Sequence, residues 1–525
     1  MHADADGVIG QLAETAAVSE KRDLTDDRQA GVCMHLTSLP GPHGIGEIGR
    51  NAHAFIRQIA DAGLKVWQFL PTGPTAYGDS PYQPLSSRAG NPMLIELREL
   101  VELDLLLEEE ISDLGRLPAG RVDYGPLIAE KTILLQRAAR RFEDKASPEL
   151  LQEFRDFVIE HDEAWLHDYA LFRTLKTEHN ERPWTEWDAR FRRRDPAALA
   201  EVAEVHARAM FGVKLSQFLF YRQWMHLREV AREHDVTLFG DMPIYVALDC
   251  ADAWANREIL RLDQDGKPTH VAGVPPDYFS EDGQLWGNPR YDWAYHAQTG
   301  YQWWIDRMRH TLSMVDLVRI DHFRGFETYW SIPADATTAR TGQWEYGPND
   351  AIFDALHTAL GDLPIVAEDL GDITPEVEEL RKRQAMPGMS VFQFLISDPE
   401  FHPSAVARDP VAYTGTHDND TTVGWFHGGP GDVRTPDQIA HQQHETLRKT
   451  QSTHEDIHWG LIKTAFATDA CLAIVPMQDF LGLGSEARLN TPGEPAGNWQ
   501  WRLREGELTA ELQQQIRSAI HAADR

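Results

Sequence analysis

Eight short apolar runs recur along the chain, several ending abruptly in charge, with amphipathic stretches between them. They fall at residues 31–39, 66–70, 236–246, 315–326, 364–371, 389–396, 411–420 and 471–480. Runs of that length, bounded by turn formers, read as buried strands. The stretches between them repeat at helical spacing. In 51–64, Phe55, Ile56 and Ile59 share one stripe, and in the closing segment 507–523, Leu508, Leu512, Ile516 and Ile520 do the same. Strands alternating with helices predict an α/β fold, a (β/α)8 barrel. A doubly wound sheet also alternates, but acid-bearing strand ends that recur along the chain suit a closed ring, where every strand end faces one mouth.

Between the second and third strands the pattern turns mainly helical, at 127–141, 148–160, 165–176 and 213–232. The expected organisation is a flexible N-terminal extension at 1–28, a catalytic barrel from 29–96 and 235–525, and a helical insertion at 97–234. The turn-rich stretch from 249 to 289 is expected to be a long loop over the mouth.

The fourth strand, Val315-Asp-Leu-Val-Arg-Ile-Asp-His-Phe-Arg-Gly-Phe326, carries the most chemistry. Side chains alternate along a strand, so Arg319 and Asp321 point the same way. The guanidinium should keep Asp321 ionised, as a nucleophile requires. A purely structural Arg–Asp pair would look the same. Glu368 and Asp418 end later strands, each about fifty residues further on, roughly one βα unit plus insertion. In a barrel all three carboxylates converge. Glu368 follows an apolar run, and desolvation should hold its proton as a general acid needs. Two carboxyls with different environments are the machinery of a retaining glycosidase.

A metal site is the competing reading, with His322 and His417 as further ligands. Arg319 beside Asp321 would repel a cation, and His441-x-x-His444-Glu445 matches neither common zinc-protease motif. Gly44, Gly46 and Gly49 match a dinucleotide fingerprint, which would make the chain an oxidoreductase. However, Pro40-Gly-Pro42 separates them from the strand, and the next strand ends in Leu70-Pro-Thr72 with no acid for a ribose. No metal and no cofactor are expected.

The net charge is −32, which argues against nucleic acid or an anionic membrane as partner. No segment approaches the ~18 apolar residues of a spanning helix, and the N-terminus lacks the features of a signal peptide. Cys33, Cys250 and Cys471 are few and far apart, so a reduced, cytoplasmic setting without a disulfide framework is expected.

Specific motifs now carry a resemblance. In order they are Tyr77-Gly-Asp-Ser-Pro-Tyr-Gln83, Gly240-Asp-Met-Pro243, Val274-Pro-Pro-Asp-Tyr-Phe279, Trp286-Gly-Asn-Pro289, Arg319-Ile-Asp-His-Phe-Arg-Gly325, Ala367-Glu-Asp-Leu-Gly371, Gly415-Thr-His-Asp-Asn-Asp-Thr421 and Asn498-Trp-Gln-Trp-Arg502. From about residue 31 to 502 the chain resembles the 4-α-glucanotransferases (amylomaltases, disproportionating enzymes) of glycoside hydrolase family 77. The resemblance implies that Asp321 is the nucleophile, Glu368 the acid/base and Asp418 the stabiliser of the distorted sugar. It implies that Asp241, Arg319, His322 and His417 bind hydroxyls beside the scissile bond. Tyr77 and Trp286 would flank glucose rings, with Asp79 and Asn288 in the same substrate-binding motifs. The implied substrates are α-1,4-glucan donors and acceptors such as maltooligosaccharides and glucose, and the chain is expected as a monomer or weak homodimer. An α-glucan hydrolase and a non-catalytic glucan-binding protein are the rival readings. Four positions depart from the family pattern: Leu248 and Cys250, where a polar stretch ending Asp-Ser is usual, Arg290 in place of an apolar residue, and Glu494 in place of a Thr.

Overall fold

The computed structural model describes residues 27–276, 281–429, 432–494 and 496–525. Residues 1–26 of the expected extension, and Tyr278 and Phe279 of the lid, lie outside them. The strands are β1 (Gln29–Cys33), β2 (Val66–Gln68), β3 (Thr237–Pro243), β4 (His270–Val274), β5 (Gln284–Pro289), β6 (Leu317–Asp321), β7 (Thr328–Pro333), β8 (Gln343–Tyr346), β9 (Ile365–Ala367), β10 (Met389–Val391), β11 (Val411–Tyr413) and β12 (Leu472–Pro476).

Eight of them form one parallel sheet in the order β10-β11-β12-β1-β2-β3-β6-β9. Its two ends are tied together: Ala367 N–H donates to Pro387 O at 2.8 Å, and Met389 N–H donates to an Asp369 carboxylate oxygen at 2.7 Å. This is the (β/α)8 barrel, and all eight expected strands are in it. The observed strands are shorter than the apolar runs because several runs bend into helical turns at their C-terminal ends. Leu36–Ser38 after β1, Phe392–Leu395 after β10 and Met477–Phe480 after β12 are examples.

The period of two sorts the side chains. Val66, Phe239, Leu317, Val366, Val411, Tyr413, Leu472 and Ile474 pack together as one apolar cluster, while their neighbours Trp67, Leu238, Val318, Ile320, Ile365 and Ala367 belong to another. The first set fills the barrel and the second meets the surrounding helices. Gly31 also faces inward, where any Cβ would run into Ile474 and the Val66 backbone. Two residues beyond Phe239, Leu317 and Val366 on the same face come Asp241, Arg319 and Glu368. The barrel core thus changes from apolar to charged within one layer, at the C-terminal mouth.

Between β2 and β3 the chain is helical, ending in the 27-residue helix Ala207–Glu233 that buries Leu215, Phe218, Leu219, Trp224 and Leu227. Lys131, on helix Tyr124–Lys145 of this region, is fully buried. Its ammonium meets Glu47 of the β1 loop at 2.5 Å, and His43 meets the other Glu47 oxygen at 2.9 Å. The Gly44–Gly49 loop leads into helix Arg50–Asp61, whose first N–H donates to Glu96 at 3.1 Å. A carboxylate stands where a dinucleotide would need its phosphate.

One expectation is corrected. The stretch from 249 to 289, read as a loop, contains β4 and β5. These pair with β7 and β8 in an antiparallel sheet of order β5-β4-β7-β8. Short strands interrupted by glycine and proline carry little periodic signal, and two of the four lie beyond β6, so the pairing is not local. Arg290, the unusual residue after Pro289, is buried and pairs with Glu345 of β8. Cys250 takes the place of a capping serine: its Sγ accepts the Ala253 N–H at 3.3 Å at the start of helix Ala251–Ala255.

Candidate active site

Asp241 and Arg319 are direct neighbours across β3 and β6. Both are buried, Asp241 with a side chain 0% exposed and Arg319 with 4%. Arg319 Nε donates to Asp241 Oδ1 at 3.0 Å, and Nη2 lies 2.8 Å from Asp241 Oδ2. The same Nη2 donates to Asp321 Oδ1 at 2.7 Å. The guanidinium therefore spans two carboxylates, one sealed and one facing the mouth. The sequence reading gave its charge to Asp321 alone.

Tyr82, on the loop after β2, joins this group from above. Its hydroxyl donates to Asp241 Oδ2 at 2.7 Å, accepts from Arg319 Nη2 at 3.3 Å and lies 2.8 Å from His417 Nε2. The hydroxyl's one proton goes to Asp241, so the network assigns the His417 proton to Nε2. The Tyr82 and His417 rings stack at 5.2 Å and 12°. His417 Nε2 is also 3.4 Å from Asp418 Oδ1. That oxygen accepts from Asn490 Nδ2 at 2.6 Å, while Arg488 holds the Asp418 carbonyl. Asp418 remains about half exposed to the cleft.

Glu368 is held by backbone. The His322 N–H donates to Oε2 at 2.6 Å and the Leu370 N–H to Oε1 at 2.9 Å. His322 can do this because its backbone turns left-handed, with φ 58°, directly after Asp321. That conformation is uncommon for a non-glycine residue and clusters at functional sites. One turn thus ties the Asp321 strand to the Glu368 carboxyl.

Burial pushes the Glu368 carboxyl above the ordinary range, opposed by Arg319 and by those two backbone donors. Burial also pushes Asp321 up, against Arg319 and with help from Asp241, Glu368 and Asp418. The Asp321 side chain keeps 32% exposure, so water reaches it and its upward push is smaller than full burial would give. Burial lowers both histidines, His322 to about 4 and His417 against the opposing pull of Asp418. Both imidazoles are neutral at physiological pH, each with one donor and one acceptor. The buried Nε2 of His322 has no partner among the described residues.

The lid closes on this group. Trp286 on β5 meets the His322 ring edge-to-face at 4.8 Å and 87°. Asn288 is buried, its amide donating to Val246 O at 2.9 Å and accepting from Gln83 at 3.0 Å. It fastens the lid to the loops after β2 and β3. Asp79 lies on a turn with φ 58° and makes no hydrogen bond to the cluster among the described residues, and burial raises its carboxyl. The Tyr77 side chain lies outside what the structure describes. Within the described residues, no group of three or more His, Cys, Asp or Glu side chains is placed to hold a metal ion, and no helix is long and apolar enough to cross a membrane.

Three members of the group were absent from the sequence-derived site. Tyr82 stood in the Tyr77–Gln83 motif, but nothing in the sequence showed that its hydroxyl reaches Asp241 and His417. Asn490 and Arg488 reach Asp418 from about seventy residues away in sequence, a contact that only folding creates.

Comparison with known proteins gives the family. The 4-alpha-glucanotransferase family, glycoside hydrolase family 77, matches residues 34–509. The chain is 46% identical over 505 residues to the 4-alpha-glucanotransferase of Thermus thermophilus, covering 95% of this chain and 99% of that one. It is 45% identical over 491 residues to that of Synechocystis sp., covering 92% and 95%. A solved amylomaltase from Streptococcus agalactiae, in complex with acarbose, superposes with TM-score 0.90 at 36% identity, covering 95% of this chain and 99% of that one. With barrel, carboxylates and lid in place over nearly its whole length, the chain belongs to the 4-alpha-glucanotransferases, retaining transglycosylases of glycoside hydrolase family 77.

Proposed function

We propose that this protein moves α-1,4-glucan segments between maltooligosaccharides and longer glucans by double displacement, with Asp321, Glu368 and Asp418 as the reacting group. Asp321 attacks the anomeric carbon while Glu368 gives its proton to the leaving oxygen. The freed sugar departs, and Glu368 takes the proton from the 4-hydroxyl of an incoming glucan, which displaces Asp321. Two inversions leave an α-linkage. Asp418, still open to the cleft, faces the positive charge that develops on the ring. The observation that carries the reading is the Arg319 bridge. It holds Asp321 by one oxygen, orients it on the inner face of the barrel and leaves its other oxygen without a bond to Arg319. The turn at His322 sets Glu368 beside it.

Asp241, Arg319, His322 and His417 are assigned to the sugar hydroxyls beside the scissile bond; what supports this is the hydrogen-bonded group that Asp241, Arg319 and His417 form around Tyr82, and the His322 Nε2, which is without a partner among the described residues. Tyr77 and Trp286 would flank the glucose rings, with Asp79 and Asn288 shaping the loops that carry them. The mechanism asks nothing of a metal or cofactor. A cytoplasmic location and a monomer or weak homodimer belong to the same reading. The three buried free thiols suit a reducing compartment.

Transfer must outcompete water at about 55 M, which needs a positioned acceptor and a closed cleft; effective molarities for such positioning can reach ~10⁵ M. Trp286, Asn288 and the β4–β5 lid supply the closure. The test is maltotriose with the purified protein. Glucose and a ladder of longer maltooligosaccharides should form while the number of reducing ends stays constant. Reducing ends that climb from the start, with no product longer than the substrate, would mean a hydrolase.

A further inference from the structure

The outer strand of the lid sheet carries a surface that the reacting group does not use. Along β8 the side chains alternate. Glu345 points to Arg290 and Tyr329, whereas Trp344 and Tyr346 share the opposite face. Both are exposed, Trp344 by 39% and Tyr346 by 80%. Of the large aromatic side chains exposed among the described residues, only Phe394 lies elsewhere. Exposed aromatics gathered on one face mark a binding surface more often than scattered ones do.

Trp344 is held rigidly. The Arg324 guanidinium lies over one face of its ring at 3.8 Å, and Trp330, its cross-strand partner, meets it edge-on at 5.1 Å and 66°. The remaining exposure belongs to a ring fixed in place, so a ligand that stacks on it pays little ordering entropy. Arg324 is 7% exposed, and its Nε is buried without a partner among the described residues. Its other nitrogens reach the Asp372 carbonyl and, at 3.4 Å, the Thr328 hydroxyl; Thr328 lies directly across from Tyr346. The surface therefore comprises Trp344, Arg324, Thr328 and Tyr346 in sequence along one sheet edge.

It is continuous with the mouth. Arg324 is two residues beyond His322, whose N–H holds Glu368, and Asp372 is four residues beyond Glu368. Two contacts, His322 N–H to Glu368 and Arg324 to the Asp372 carbonyl, thus link this edge to the Glu368 side of the mouth. We infer that Trp344 and Tyr346 form an accessory subsite that stacks glucose rings of a long α-glucan outside the reacting cleft. The inference rests on the glucan-transfer reading. A neutral polyhydroxylated chain fits the chemistry: apolar C–H faces for two rings, hydroxyls for Arg324, Thr328 and the Asp372 carbonyl. An anionic ligand does not, because Asp372 and Glu327 adjoin the single guanidinium. The rings are two residues apart on one strand, about 7 Å, so they engage separate sugar units of one chain.

The experiment compares substrates of two lengths. Wild type and the double variant Trp344→Ala/Tyr346→Ala are assayed for transfer with maltotriose, too short to reach the edge, and with amylose. The variant should lose about tenfold in kcat/KM on amylose, carried by KM, and stay within about twofold on maltotriose; tenfold corresponds to about 1.4 kcal/mol. Tyr346→Ala alone, at a position 80% exposed, should lose about threefold on amylose. Equal losses on both substrates would show that the edge merely props the mouth, and no loss on amylose would remove the subsite. A wild-type dimer that the double variant dissolves, measured by sedimentation, would make the face a contact between copies and also overturn the proposal. Failure of wild type on maltotriose would instead sink the transfer reading itself.

Discussion

Removing one oxygen from Tyr82 tests the site's architecture sharply. In Tyr82→Phe the ring can keep its stack on His417 at 5.2 Å, so only the hydroxyl is lost. Three contacts go with it: the donor to Asp241, the acceptor for Arg319 and the partner of His417 Nε2. Asp241 keeps both Arg319 contacts and is not stranded. His417 Nε2, in a side chain only 6% exposed, keeps only Asp418 at 3.4 Å. A hydrogen bond to a charged group is worth about 1.5–3 kcal/mol net, and a buried polar group left without its partner costs about 1–3 kcal/mol. Water entering the gap would recover part of this, so we expect a stability loss of about 2 kcal/mol. The hydroxyl bridges the Asp241–Arg319 pair to the His417–Asp418 loop, so kcat/KM should fall about 10- to 100-fold, each factor of ten being about 1.4 kcal/mol. Glucose release from maltotriose gives the rate and urea melts give the stability. A double-mutant cycle with His417→Ala then separates the bridge from each half, since residues in one network are coupled by 0.5–3 kcal/mol at about contact distance. If the Phe variant keeps kcat/KM within twofold of wild type and the cycle shows no coupling, the bridge is not part of the machinery.

Asp321→Asn should abolish turnover while leaving the fold intact, and Glu368→Gln given a glycosyl fluoride should accumulate an adduct visible by intact mass, since that leaving group needs no acid but release needs the base. Activity should fall as pH rises through the Glu368 titration, which removes the acid's proton, and as pH falls and protonates Asp321. The two carboxyls titrate as a pair, and both are pushed upward by burial, so the profile should sit above the pH ~4 of free carboxylates. Arg319→Gln, which removes the charge opposing both shifts, should move the acid limb higher still; an unmoved limb would refute the assignment. Lys131→Met should cost about 3–5 kcal/mol at neutral pH, because it leaves Glu47 buried without its cation. Burial pushes Glu47 up, but Lys131 and His43 outweigh it and hold the carboxyl low. Its contribution is therefore present above the unfolded value near pH ~4.3 and lost as pH falls through the folded one. Thermal melts across pH should show the variant's deficit shrinking as Glu47 takes up a proton.

The sequence by itself determined the elements and the chemistry they carry. Buried barrel strands must be apolar at alternate positions, so β6 announces itself through Leu317, Val318 and Ile320. The same alternation places Arg319 and Asp321 on one face without any coordinates. Glu368 is legible for the same reason, at the end of a strand with Val366 on its inner face. Tertiary structure alone decided the relations between elements. Arg319 divides its charge between Asp321 and Asp241 because β3 lies beside β6, and adjacency in a barrel is not written in local periodicity. The antiparallel lid sheet arises from short strands on both sides of β6, and which of them pair is a long-range relation that local periodicity does not carry. Tyr82, Asn490 and Arg488 enter the site from distant loops, and a loop's path depends on the scaffold that carries it. A single strand's pattern encodes which face a side chain takes. What that side chain meets there is set by long-range packing, to which each residue contributes only a small part of the free energy.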